Sequence, residues 1–232
     1  MTGVGSRATS GAKPVMNEAL MIVGAGGHAR SVAILAALTP GLTVVGVADR
    51  TAATLGERIG SAQVVATFAD MPRWRSDGIE LVALAVGDNA EREALFNQAL
   101  ACGLRPVTLI HPSVICDPEG TIGEGTVICA GAILGPHVRL GRGVIINTGS
   151  ILDHECQVDD FAQIATGSRL AGRVRVGARA FLGIGCAVID KKRIGIGAVI
   201  GAGAVVISDI PDGRTAVGVP ARLKDTKEDG LR

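Results

Sequence analysis

The sequence predicts an α/β chain in two parts: a small Rossmann-like parallel sheet, then a parallel β-helix built of hexapeptide repeats. Three observations carry this. From Ile110 to Ile200 every sixth residue is Ile, Leu or Val, sixteen positions in phase with Cys116 the single departure. Before residue 110, short apolar runs alternate with stretches of helical spacing. Aromatic residues make up only 2% of the chain and tyrosine is absent, as suits a core of stacked aliphatic side chains.

Residues 1–19 are rich in small and polar residues and lack the apolar stretch of a secretion signal, so a disordered leader is expected. The first domain spans residues 20–109. Leu20 to Gly24 is an apolar strand running into the glycine turn Gly24-Ala-Gly-Gly-His28, and Ala29 to Leu38 has helical spacing. Leu42 to Ala48 is a second strand, ending at Asp49-Arg50. Gln63–Thr67 and Glu80–Val86 are the third and fourth, and after Gly87-Asp-Asn89 a helix runs to Cys102. Strands alternating with helices form a parallel sheet with helices on its faces.

The second domain spans residues 110–223. A helix repeats every 3.6 residues and a strand every two, so a period of six fits neither alone. It fits a short strand plus a corner, three of which close one triangular turn of a β-helix. The anchor residue fills the axis. Four residues on, a small or β-branched residue such as Thr126, Ala132, Ser150, Ala162 or Ser168 lets the chain bend. Turns stacked at ~4.8 Å make a rod ~25 Å tall over about five turns. Residues 224–232 are charged and expected to be loose.

The formal net charge of +1 gives no reason to expect nucleic acid or an anionic membrane surface as partner. No apolar run reaches the ~18 residues of a membrane span. The five cysteines, Cys102, Cys116, Cys129, Cys156 and Cys186, show no CxxC spacing and read as small buried hydrophobes in a reducing cytosol. Histidine and cysteine are scattered without ligand spacing, so no metal is implied.

Two places could carry chemistry. Gly24, Gly26 and Ala29 fit G-x-G-x-x-G/A, with Asp49 twenty residues beyond Ala29. Such a turn lets backbone N–H groups meet a phosphate at a helix N-terminus. The domain has about half the size of a full dinucleotide fold, so a mononucleotide diphosphate fits better than NAD; a tight turn without ligand is the plain alternative. Gly24, Asp49 and Gly87 all lie at the C-terminal ends of strands, where sheets of this class bind ligands. The second place is His154, in Leu152-Asp-His-Glu-Cys-Gln157. It takes the third position of its hexapeptide, near a corner and pointing outwards, between Asp153 and Glu155. A histidine beside a carboxylate suits a general base, because the carboxylate orients the ring and stabilises the imidazolium. A solvated histidine in an acidic patch is the alternative.

Gly24-Ala-Gly-Gly-His28, Gly87-Asp-Asn89, Ile110-His-Pro-Ser113, Asn147 to Cys156 and Val217-Gly-Val-Pro-Ala-Arg222 occur in that order. Together they resemble the bacterial sugar O-/N-acyltransferases of the left-handed β-helix class, which include nucleotide-amino-sugar N-acetyltransferases and sialic-acid O-acetyltransferases. The resemblance spans residues 20–223. It implies a cytoplasmic homotrimer that moves an acetyl group from acetyl-CoA to the amino group, at C4, of a UDP- or GDP-linked amino-sugar destined for a polysaccharide. O-acetylation of a hydroxyl, as on sialic acid, is the alternative. It implies His154 as base with Glu155 orienting it. Gly24, Gly26, Gly27 and His28 would hold the diphosphate, with Asp49 and Arg50 near the nucleoside and Gly87 and Asn89 also lining the substrate site. Acetyl-CoA would lie between two subunits against Gly172, Ile184 and Gly185. Some members carry a second histidine nine residues after the base; here Gln163 stands there, assigned to the acetyl-CoA side of the site.

Overall fold

The computed structural model describes residues 17–224. The expected leader, up to residue 16, and the tail from 225 lie outside the described residues. The first domain runs β1 (Glu18–Val23), α1 (Gly27–Leu38), β2 (Leu42–Asp49), β3 (Arg58–Ile59), β4 (Ala62–Thr67), α2 (Met71–Trp74), β5 (Leu81–Leu84), α3 (Asn89–Ala101) and β6 (Arg105–Pro106). The sheet order is β3-β4-β2-β1-β5-β6. All pairs are parallel except the hairpin β3–β4. The hairpin and α2 are additions to the elements expected. β1 starts inside the span expected to be leader, because the Glu18 N–H donates to Gly41 O at 2.8 Å and its carboxylate pairs with Arg105 at 2.7 Å.

Successive side chains of a strand point to opposite faces, so β1 feeds two cores. Leu20 and Ile22 pack with Val32, Leu35 and Val47 on the α1 side. Met21 and Val23 pack with Trp74, Val82 and Phe96 on the other.

The second domain is a left-handed parallel β-helix. From Leu109 to Val206 each strand is two residues long, and up to Ala187–Val188 each pairs in parallel with the strand eighteen residues on, as in Val127–Ile145–Gln163–Phe181. Three faces result. The first holds strands ending at 110, 128, 146, 164, 182 and 200; the second, those at 116, 134, 152, 170, 188 and 206; the third, those at 122, 140, 158, 176 and 194. Thr215–Val217 extends the first face, and Arg222–Leu223 pairs antiparallel to it.

From Ile128 upward the anchors are buried and fill one continuous axis. Ile110 and Cys116 are exposed instead, because the first coil has no coil beneath it to cover its axis. This corrects the expectation for Cys116, while Cys102 is half-buried at the end of α3. Cys129, Cys156 and Cys186 are buried, and burial pushes the first two thiols up to about 11. Where the small position carries a hydroxyl, the next coil satisfies it. Thr126, Ser150 and Ser168 donate to Gly141 O, Ala165 O and Gly183 O, each at 2.9 Å. A buried hydroxyl without such a partner would cost about 1–3 kcal/mol.

From Gly125 to Gly203 every corner has left-handed backbone. Between the first and second faces glycine supplies it, at Gly131, Gly149, Gly167, Gly185 and Gly203. Between the second and third faces the same column holds His137, Glu155, Arg173 and Lys191, each with φ of 58–61°. Between the third and first faces Phe161 and Arg179 interrupt a run of glycines. A residue with a side chain pays about 1–2 kcal/mol for this conformation. Side chains therefore stand at two of the three corners despite a backbone cost.

Candidate active site

The nucleotide-like cleft is built by three strand ends of the first domain. β1 ends at Gly24, whose φ of +111° and backbone packing require glycine: a Cβ there would meet Val86 Cγ2 at 2.9 Å and Ala85 O at 3.0 Å. Gly26 then caps α1 without any side-chain hydrogen bond, leaving the first amides of the helix free to meet an anion. A Cβ at Gly26 or Gly27 would meet nothing within 4 Å, so the turn opens into space rather than protein. The cleft holds about 300 Å³ and is lined by Gly24, Gly26, Asp49, Arg50, Gly87 and Glu91 among others. Arg50 pairs with Glu91 across it, and Asp49 Oδ2 accepts from Thr54 Oγ1 at 2.9 Å. Gly87 and Asp88 also line a second cleft of about 520 Å³, where the loop before α3 faces Arg179, Phe181 and Val199 of the β-helix.

His28 begins α1 beside this cleft. Its Nε2 is buried and finds no hydrogen-bond partner among the described residues. Burial, with a smaller push from the Arg92 charge, lowers its pKa from 6.5 to about 4. The ring is neutral at pH 7 and holds no charge for a diphosphate. The sign for stability follows: between pH 6.5 and about 4 the unfolded chain takes up a proton that the folded chain refuses, so stability falls as pH falls through that window. The loss amounts to about 3 kcal/mol. Urea unfolding at pH 7 and pH 4.5 should show a steeper loss for the wild type than for His28→Gln; equal losses would assign the pH dependence to other groups.

His154 stands at the corner between the second and third faces, partly exposed. Its Nδ1 lies 3.1 Å from Glu155 Oε2, and its own N–H donates to Asp153 Oδ1 at 2.7 Å. Arg173 approaches the same Glu155 oxygen at 3.6 Å. Gly172, one coil on from His154, lies directly against the ring: a Cβ there would come within 2.4 Å of Nε2. The Gly172 carbonyl accepts from Lys191 N–H at 3.0 Å, while its own N–H has no partner among the described residues. Cys156, two residues on, turns inward, with Sγ 3.2 Å from Ala171 O. The arrangement offers an imidazole with Nε2 unpartnered, a carboxylate against Nδ1 and, at Gly172, a backbone N–H without a partner among the described residues, a set that could serve proton transfer and oxyanion stabilisation.

Of the remaining site residues, Asn89 also lines the second cleft, while Gln163, Ile184 and Gly185 lie on the β-helix. Asn89 spends Nδ2 on the carbonyls of Arg179 and Ala180, at 2.9 and 3.2 Å, and its Oδ1 accepts from Arg92. Gln163 faces outward on the first face between Ile145 and Phe181, and its Oε1 is buried without a partner among the described residues. Ile184 is 62% exposed beside Gly185, at the corner between the first and second faces; Gly185 belongs to the left-handed glycine column there. Asp117, Glu119 and His137 bring possible ligand atoms together near the open end of the β-helix, but the His137 backbone N–H already donates to Asp117 Oδ2, its Nδ1 lies 3.4 Å from Glu119, and nothing else there points to an ion.

The first domain packs on the first face, where Leu109, Val127 and Cys129 share a core with α1. In a triangular prism each corner stands opposite one face, and the His154 corner is the one opposite the first. One protomer thus holds the nucleotide-like cleft and the candidate base on opposite sides of its β-helix. Arg92, absent from the expected site, joins the two domains. The signal for it was present: Arg92, Leu95, Phe96 and Ala99 share the i, i+3, i+4, i+7 stripe of a buried helix face.

The PglD N-terminal domain family matches residues 19–99. Among solved structures, a GDP-perosamine N-acetyl transferase from Caulobacter crescentus, with CoA and GDP-perosamine bound and studied as histidine variants, is 36% identical. The match covers 89% of this chain and 97% of that one, with a TM-score of 0.85. The acetyltransferase domain of PglB from Neisseria gonorrhoeae, with acetyl coenzyme A, is 34% identical over 90% of this chain and 100% of that one, with a TM-score of 0.82. WeeI from Acinetobacter baumannii is 25% identical, with the same coverage and TM-score. No curated protein sequence matches the chain.

Proposed function

The chain belongs to the left-handed β-helix family of nucleotide-amino-sugar N-acetyltransferases, and from that premise we propose its reaction, its base and its assembly. It transfers the acetyl group of acetyl-CoA to the amino group of a nucleotide-linked amino-sugar. We assign the amine to C4 of a UDP- or GDP-linked sugar and the base to His154. The observation that carries the assignment is the His154–Glu155 pair set over Gly172.

In this mechanism the Nδ1–H of His154 donates to Glu155, which leaves the Nε2 lone pair free. Nε2 takes a proton from the sugar amine as its nitrogen attacks the thioester carbonyl. The carbon–nitrogen bond forms and the carbonyl electrons move to oxygen, where the Gly172 N–H, without a partner among the described residues, would stabilise the charge. Collapse of the tetrahedral intermediate breaks the carbon–sulfur bond, and the imidazolium returns its proton to the departing CoA thiolate. Metal chemistry has no step in this sequence.

The nucleotide diphosphate would meet the N-terminal amides of α1 at Gly26 and Gly27, and the sugar would extend past Gly87 into the second cleft. A cleft and a base on opposite sides of one protomer favour a ring assembly, in which His154 of one subunit serves the cleft of its neighbour. The three flat faces of the β-helix suit a homotrimer. Among the described residues no helix is long and apolar enough to cross a membrane. A cytoplasmic location is part of this proposal, as the resemblance to the family implies.

The test is release of free CoA from acetyl-CoA with UDP- and GDP-linked 4-amino-sugars, and sialic acid as the hydroxyl control. Turnover on an amino-sugar nucleotide, with none on sialic acid, is expected. Turnover on sialic acid alone would move the reaction to oxygen.

A further inference from the structure

Arg92 is the fourth residue of α3, yet it is only 1% exposed. Burial lowers its pKa to about 10, so it stays charged at neutral pH. Among the described residues no carboxylate pairs with it. Its guanidinium is satisfied by carbonyl oxygens instead. Nε donates to Gly143 O at 2.8 Å and Nη2 to Phe161 O at 2.7 Å; Nη1 reaches Val86 O at 3.1 Å and Gly87 O at 3.4 Å. Nη2 also donates to Asn89 Oδ1 at 2.8 Å, and Asn89 passes the contact on to Arg179 O at 2.9 Å.

The three β-helix carbonyls form one column. Gly143, Phe161 and Arg179 are eighteen residues apart, one per coil, and all have left-handed backbone with φ of 59°. Arg92 and Asn89 therefore grip three successive coils at once, while the other arm of Arg92 holds the carbonyls of Val86 and Gly87. Gly87 lines both clefts. Phe161, beneath the clamp, packs edge-on against Phe96 of α3 with ring centres 5.3 Å apart. A surface arginine would do none of this, and a planar fork of five donors suits it where a lysine would not.

We propose that Arg92 is a positioning residue for acetyl transfer: with Asn89 it fixes the height and tilt of the nucleotide-binding domain on the β-helix. It thereby sets where the acceptor amine arrives. This rests on the reading that the Gly24–Gly87 cleft presents the acceptor. The chemistry occurs at another residue, so what Arg92 supplies is alignment, and a shift of about 1 Å in such a system costs about 10²-fold in rate.

The informative substitution is Arg92→Lys, which keeps the charge but offers an ammonium in place of the fork. Arg92→Met would leave four carbonyls without a donor and cost stability as well, so it serves as the destabilised control. For Arg92→Lys, kcat is expected to fall about 10²-fold, while the Kd values for acetyl-CoA and for GDP or UDP stay within about threefold of wild type. Hydrogen exchange at residues 86–90 should quicken while the strands at 145–146 and 163–164 keep their protection. A kcat within threefold of wild type, or nucleotide binding lost in step with kcat, overturns the proposal. Unchanged exchange at 86–90 overturns it too, and that measurement holds whether or not the acceptor is an amino-sugar nucleotide.

Discussion

His154→Ala is expected to lower kcat by about 10²–10⁴ while leaving the fold and both binding sites intact. The size follows from what the ring does and from the lack of a substitute. The attacking amine must lose a proton as the carbon–nitrogen bond forms, and His154 Nε2 is a ring nitrogen with no hydrogen-bond partner among the described residues, set against Gly172. Cys156 cannot stand in: its thiol is buried in the axis and pushed up to about 11. Asp153 Oδ1 is occupied by the His154 N–H, and Glu155 is shared with Arg173. The fold is unaffected because the ring lies outside the aliphatic axis and makes no backbone contact that holds two coils together. The measurement is steady-state kinetics beside acetyl-CoA binding and circular dichroism. Wild-type kcat in this variant would remove His154 as the base, and a lost fold would remove the claim that its role is chemical.

Much of the architecture was legible because the β-helix repeats its rule. A six-residue period fixes which residue fills the axis and which turns the corner, so the outward placement of His154 and the inward placement of Cys156 could be read from phase alone. The same rule failed at Cys116, where the phase is right but no coil lies beneath. The glycine turn was legible for another reason: Gly24 needs a backbone that a side chain forbids. Asn89 and His28 were harder. Asn89 was expected in the substrate site from the resemblance and does line the second cleft, but its amide also bonds carbonyls 90 and 91 positions away, a contact no local pattern announces. His28 sits in the expected loop, yet burial keeps its ring neutral, and burial is set by tertiary packing that the local sequence does not state. Gly172 was expected near the thioester; its closeness to the His154 ring follows from the eighteen-residue coil, which sets position 172 one level from 154.

Co-expressing two inactive variants is expected to restore activity to about one quarter of wild type. The first is His154→Ala, with its cleft intact. The second is Gly26→Asp, with its base intact. Gly26 has φ −70° and ψ −172°, ordinary for any residue, and a Cβ there meets nothing within 4 Å. Aspartate at this N-cap favours α1 rather than disturbing it, but places a negative charge where the diphosphate would bind. Each variant alone forms a uniform ring in which every site lacks one component. In a ring mixed at random, a given cleft is intact half the time and the histidine of its neighbour is intact half the time. The product is about one quarter. If cleft and base worked within one protomer, no mixed ring would hold a complete site and activity would stay at the background of the two variants. Restoration thus requires both an oligomer and a site shared across it. The same geometry predicts it: the first face carries the nucleotide-binding domain, and the corner opposite that face carries His154.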